Sequence, residues 1–141
     1  MTHDPGCFLL ALLALLVLRL SVALAEPDYA DLFRQYETQY GLPPLLAYAV
    51  AHQESGRHYN GKFQPFPWAV NISGRGYYFD TKEEAVLAAK KALAEGKSFD
   101  GGLMQQAWRW QKHRYSSPAD VFEPEINIRI GAQILRELYD Q

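Results

Sequence analysis

The 141-residue chain has one cysteine, Cys7, and two methionines, and its formal charge is only −2. A single cysteine cannot form an internal disulfide, so the domain must stand on its packed core. A slightly acidic balance provides no electrostatic footing for nucleic acid, whose binders carry a basic face. Repeats and low-complexity linkers are absent, which points to one domain. Also missing are H-E-x-x-H and G-x-S-x-G, the patterns of zinc proteases and of many serine hydrolases. His52, His58 and His113 have no metal-ligand spacing, so neither a metal nor a cofactor is expected.

Aromatic residues are plentiful: three Trp, nine Tyr and seven Phe. They fill cores, and they also make platforms on which sugar rings stack. At the N-terminus, residues 8–18 form an unbroken apolar run, which Arg19 interrupts before Ala23-Leu24-Ala25 closes the segment. The run is short of the ~20 residues that span a bilayer. It reads as a signal peptide over residues 1–25, cleaved after Ala25, leaving a domain over 26–141. Cys7 leaves with it.

Along the remaining chain, Tyr29, Leu32, Phe33 and Tyr36 at helical spacing predict a helix that opens at Pro27-Asp28 and stops at Gly41. Pro43-Pro44 start a second helix over 45–53, apolar almost all round and expected to be buried. Two prolines in Phe63-Gln64-Pro65-Phe66-Pro67-Trp68 exclude helix there. Strand-like residues 68–72 and 77–79 flank a loop, Ser73-Gly74-Arg75-Gly76. Thr81-Lys82-Glu83-Glu84 fits a capping box before a helix whose apolar face is Val86, Leu87, Ala89 and Leu93. Asp100-Gly101-Gly102 reads as a turn into a fourth helix over 103–108, and Ser117-Pro118 as the start of a short one. A last helix follows Pro124, with Ile126, Ile128, Ile130, Ile134, Leu135 and Leu138 inside. The expected fold is mainly α, with one small β-hairpin.

Glu54 lies seven, four and three residues from Ala47, Val50 and Ala51, the apolar stripe of the second helix. A carboxyl carried on a buried stripe is partly desolvated and favours its protonated form, the state a general acid needs. The bland alternative is a helix-end glutamate turned to solvent or paired with Arg57. Trp68, Tyr77 and Tyr78 are core fillers or sugar platforms, and strand alternation places some of these rings outward.

Three ordered segments resemble the SLT-type lytic transglycosylases of the bacterial cell wall. They are Ala51-His52-Gln53-Glu54-Ser55-Gly56, Gly102-Leu103-Met104-Gln105, and Pro124-Glu125-Ile126-Asn127-Ile128-Arg129-Ile130-Gly131-Ala132. The resemblance covers about residues 27–135. It implies a lysozyme-like (goose-type) helical domain, exported to the periplasm and acting on peptidoglycan glycan strands. Glu54 would be the one catalytic acid and base. Ser55, Met104 and Gln105, with Tyr77 and Tyr78, would bind the strand, and Asn127 would brace its helix. The hairpin over 68–79 is similar to the branch associated with conjugation, pilus or secretion complexes.

Ordinary glycosidases pair two carboxylates; here Asp80 and Asp100 read as turn or cap residues, consistent with a lone acid. The family also has a tyrosine in an Ala-Tyr-Asn-like motif. Leu138-Tyr139-Asp140 does not match it, so the domain reads as C-terminally shortened, or another residue such as Tyr59 substitutes. A lysozyme-type hydrolase and a catalytically impaired glycan-binding or scaffold module are the competing expectations.

Overall fold

The computed structural model describes residues 29–59 and 61–141. The expected signal segment, its cleavage site and Pro27-Asp28 lie outside these. Among the described residues, no helix is long and apolar enough to cross a membrane.

The architecture is mixed α/β and not mainly α with one hairpin. Among the described residues, five α-helices pack with six short strands in two antiparallel sheets. In chain order they are α1 (Ala30–Gln39), α2 (Leu46–Ser55), β1 (Arg57–Tyr59), β2 (Lys62–Gln64), β3 (Ala69–Ile72), β4 (Arg75–Tyr78), α3 (Lys82–Ala94), β5 (Phe99–Gly101), β6 (Gln106–Ala107), α4 (Trp108–Gln111) and α5 (Pro124–Tyr139). Two 3₁₀ turns, Lys112–Arg114 and Pro118–Phe122, join α4 to α5. Strands β1 and β2 form one hairpin, and the other sheet has the order β4-β3-β5-β6.

The expected fourth helix over 103–108 is replaced by a turn and β6; only Trp108–Gln111 is helical. The hairpin loop is also tighter than expected. Ser73 and Gly74 alone turn the chain, both at positive φ (54 and 83), as two-residue hairpin turns require. Arg75 and Gly76 are already strand.

Two buried clusters meet at α5. One contains Phe33, Ala47, Ala51, Leu103 and Ile128. The other contains Val70, Ala85, Ala89, Phe99, Phe122 and Ile130. Ile128 and Ile130 are about 200° apart around a helix, so α5 is packed from both sides. Asn127, Gly131 and Ala132 are buried with them, whereas Leu138 is exposed. In α3, the expected capping box of Thr81 and Glu84 forms, but the buried face is Ala85, Ala89 and Ala92. Leu87 faces solvent. Small residues on that face let the helix lie close to the sheet.

The start of α2 is held from a distance. Glu37 is buried on α1, and its carboxylate accepts hydrogen bonds from the backbone N–H of Leu45 (2.9 Å) and Tyr48 (3.2 Å). These are otherwise orphan donors at a helix N-terminus, where negative charge is favoured. Glu37→Ala should therefore lower unfolding free energy by about 2 kcal/mol, read from the urea midpoint at unchanged m-value.

Candidate active site

Glu54 sits in the last turn of α2 and is exposed, with its carboxylate making no hydrogen bond or ion pair to another described residue. The expected burial on the stripe of Ala47, Val50 and Ala51 is corrected. The buried line is Ala47, Ala51 and Ser55 at i, i+4 and i+8; Val50 is half-buried, and Glu54 lies one residue round from the line, toward solvent. The proposed pairing with Arg57 does not form either.

Ser55 explains the rotation. It is fully buried. Its hydroxyl lies 2.6 Å from the Leu103 carbonyl oxygen and 3.1 Å from that of Ala51, and it accepts from the Phe66 N–H at 3.2 Å. One proton cannot serve both carbonyls fully, and the shorter contact to Leu103 is the stronger. Ser55 thus ties the end of α2 to the turn at 102–105 and to the loop before β3. It is a joint beneath Glu54 and not the exposed ligand-binding group expected of it.

The same turn is held from α5. Asn127 is fully buried; its Oδ1 accepts from the Met104 N–H (2.9 Å), and its Nδ2 donates to Val121 O (2.9 Å) and Gly101 O (3.2 Å). The brace acts on the turn rather than on the helix. Met104 is also buried, and a Cβ at Gly131 would stand 2.2 Å from its sulfur, so only glycine lets α5 approach. Gln105 has φ 43 and folds its side-chain Nε2 back onto the carbonyls of Ala69 (3.1 Å) and Gly102 (3.0 Å). Met104 therefore packs in the core under the turn, and Gln105 uses its Nε2 to hold the turn closed.

Beside Glu54 stands an aromatic wall. The Arg57 guanidinium lies over the rings of Phe66 (4.6 Å), Tyr78 (5.0 Å) and Tyr59 (5.9 Å). The hydroxyl of Tyr78 reaches the Gly56 carbonyl at 3.4 Å. Across the hairpin, the ring of Phe63 lies between His52 (4.7 Å) and His58 (5.2 Å) and covers Gly56, where a Cβ would stand 2.4 Å from it. Tyr59 packs on Phe66 near Glu54, while Tyr139 lies at the far end of α5 against Arg136.

The two tyrosines expected to act together are on opposite faces of the hairpin. Tyr78 pairs with Ala69 and Tyr77 with Val70, so pleating separates them. Tyr77 stacks on Phe79 and faces α3. Phe63 had no assigned role in the sequence, and Arg57 only that of a partner to Glu54. Asn60-Gly61 was a usable hairpin signal for them, weakened by three-residue strands.

Asp100 is another correction. It is a strand residue of β5, opposite Asn71 and Ala107, and not a turn residue. No described group donates a hydrogen bond to its carboxylate. Partial burial raises its pKa above the ordinary carboxylate value. The folded state then binds this proton more tightly than the unfolded chain. Stability is fully present below the unfolded value and falls as pH rises through the folded one. Asp100→Asn should raise the melting temperature by about 1–2 °C at pH 7 and leave it unchanged near pH 3, seen by calorimetry at both pH values.

Comparison with protein-family models, with curated proteins and with solved structures returned no match.

Proposed function

We propose that the protein is an exported lytic transglycosylase that cleaves the β-1,4 bond between N-acetylmuramic acid and N-acetylglucosamine in peptidoglycan. One observation carries the reading. The three distant segments on which the family resemblance rests are hydrogen-bonded into a single joint, Ser55 to Leu103 and Asn127 to Met104, with Glu54 standing free on top of it. A rigid support under an unpaired carboxyl is what precise placement of a general acid needs.

Glu54 donates its proton to the glycosidic oxygen, which leaves as the 4-hydroxyl of N-acetylglucosamine. The muramoyl 6-hydroxyl attacks its own anomeric carbon and returns a proton to Glu54. The product is a 1,6-anhydro ring, formed without water. Since Glu54 is exposed in the free protein, the bound strand itself supplies the desolvation that favours the protonated acid. Tyr78 and Arg57 offer a stacking and hydrogen-bonding wall beside it.

Mass spectrometry of soluble fragments from purified sacculi tests the reading. Anhydro-muropeptides are expected. Reducing ends, heavier by one water, would assign a hydrolase. Sacculus binding without fragment release would assign a binding or scaffold module.

A further inference from the structure

A second cleft opens on the four-stranded sheet, and Glu54 is not among its lining residues. By register, Tyr78 on β4, Ala69 and Asn71 on β3, Asp100 on β5 and Ala107 on β6 share one face. Beyond Ala107, α4 adds Arg109 and Trp110, which with Asn71, Asp100 and Ala107 line an open cleft of about 360 Å³. Such a volume suits a small ligand. Neither Tyr78 nor Arg57 is among the cleft's lining residues, and Tyr78 is three strand spacings, ~14 Å, from Ala107 at the far side.

Its chemistry is selective. Trp108 and Trp110 are two apart on α4 and point to opposite sides. Trp108 stacks on Phe99 in the core at 5.7 Å, while Trp110 is 69% exposed, touched by the Arg109 guanidinium at 5.7 Å. A flat indole left in water is a stacking platform. Opposite it is the Asp100 carboxylate, partly desolvated and without a donor among the described residues. Arg109 lines the same cleft yet forms no ion pair with Asp100. Asn71 Oδ1 is occupied by the Gly74 N–H, which leaves its amide hydrogens as donors. Ser98, also on the lining, has a buried hydroxyl with no partner among the described residues. An anionic ligand would meet Asp100, and a cationic one would meet Arg109. A neutral ring with hydroxyls at its edge and C–H groups on its face satisfies all of them.

We infer that this cleft is a carbohydrate-binding site for a neutral pyranose, stacked on Trp110 and hydrogen-bonded to Asp100 through a ring hydroxyl. Glu54 chemistry is not required for it. The stability that Asp100 costs at neutral pH is the kind of expense that binding groups carry.

The test is a titration of the isotope-labelled full chain with chitotetraose, followed by amide and indole NMR shifts. Saturable shifts are expected at the Trp110 indole and at the Asp100 and Ala107 amides. Trp110→Ala and Asp100→Asn should each weaken this binding by about tenfold or more, while Glu54→Gln retains it. Trp110 is outside the core, so its replacement leaves the fold intact, as the unshifted remainder of the spectrum should confirm. No saturable shift at these residues, shifts confined to Tyr78 and Arg57, or binding unchanged in Trp110→Ala each overturn the inference. A preparation that binds chitotetraose here but releases nothing from sacculi would sink the proposed cleavage activity and leave this site standing.

Discussion

Glutamine in place of Glu54 is expected to cut release of anhydro-muropeptides from sacculi by about 10²–10⁴-fold, the range for losing a positioned general acid. The substitution tests chemistry with little structural confusion. Glu54 is exposed, and its carboxylate holds nothing else in place, so stability should stay within about 0.5 kcal/mol. Glutamine keeps the size and a hydrogen-bonding amide but has no proton to deliver to a leaving oxygen. Because the same carboxyl takes the proton back from the muramoyl 6-hydroxyl, adding an external nucleophile such as azide should not restore the rate. A variant with wild-type melting that retains more than about a tenth of the wild-type rate would remove Glu54 from the mechanism.

The outcome also bears on how far residue patterns alone could lead. The caps were legible where chemistry is local. Thr81 and Glu84 bond each other's backbone within one turn, and the sequence contains all of that interaction. The orientation of α2 was not legible, since Ala47-Val50-Ala51-Glu54 and Ala47-Ala51-Ser55 are equally good helical stripes. What selects the second is Leu103 O, 48 residues away, which draws the Ser55 hydroxyl inward. The segment at 102–105 looks helical because it is apolar and has no proline. Its conformation is instead imposed by Asn127 from α5, which holds Gly101 and Met104 and leaves Gln105 at positive φ. The second sheet was missed for a related reason: strands of two or three residues are too short to show alternation, and their pairing is decided by the helices around them. The motif segments were recognisable in order and spacing, yet most of their residues turn out to hold the site together. The half-buried Arg57 and Asp100 and the exposed Tyr78 and Trp110 came from outside the motifs.

Gly102→Ala is expected to be strongly damaging, lowering unfolding free energy by about 4 kcal/mol or more. Two costs combine. Gly102 has φ +79, which costs an L-residue about 1–2 kcal/mol. The added Cβ would also stand 2.3 Å from Asn127 Nδ2 and 2.4 Å from Val121 O. Backbone at Val121 cannot step aside without disturbing the 3₁₀ turn Pro118–Phe122, and Asn127 cannot leave without breaking three hydrogen bonds in a fully buried place. Each buried group so orphaned costs about 1–3 kcal/mol. Against a total of about 5–15 kcal/mol, the loss takes most of a small domain's stability. Gly96→Ala separates the two costs, because Gly96 has a similar φ of +72 but nothing within 4 Å of its missing Cβ. That variant should lose only the backbone strain. Thermal melts of the pair should therefore differ by on the order of 10 °C. Equal losses would mean that the joint linking α2, the 102–105 turn and α5 does not hold the site, and the support assigned to Glu54 would go with it.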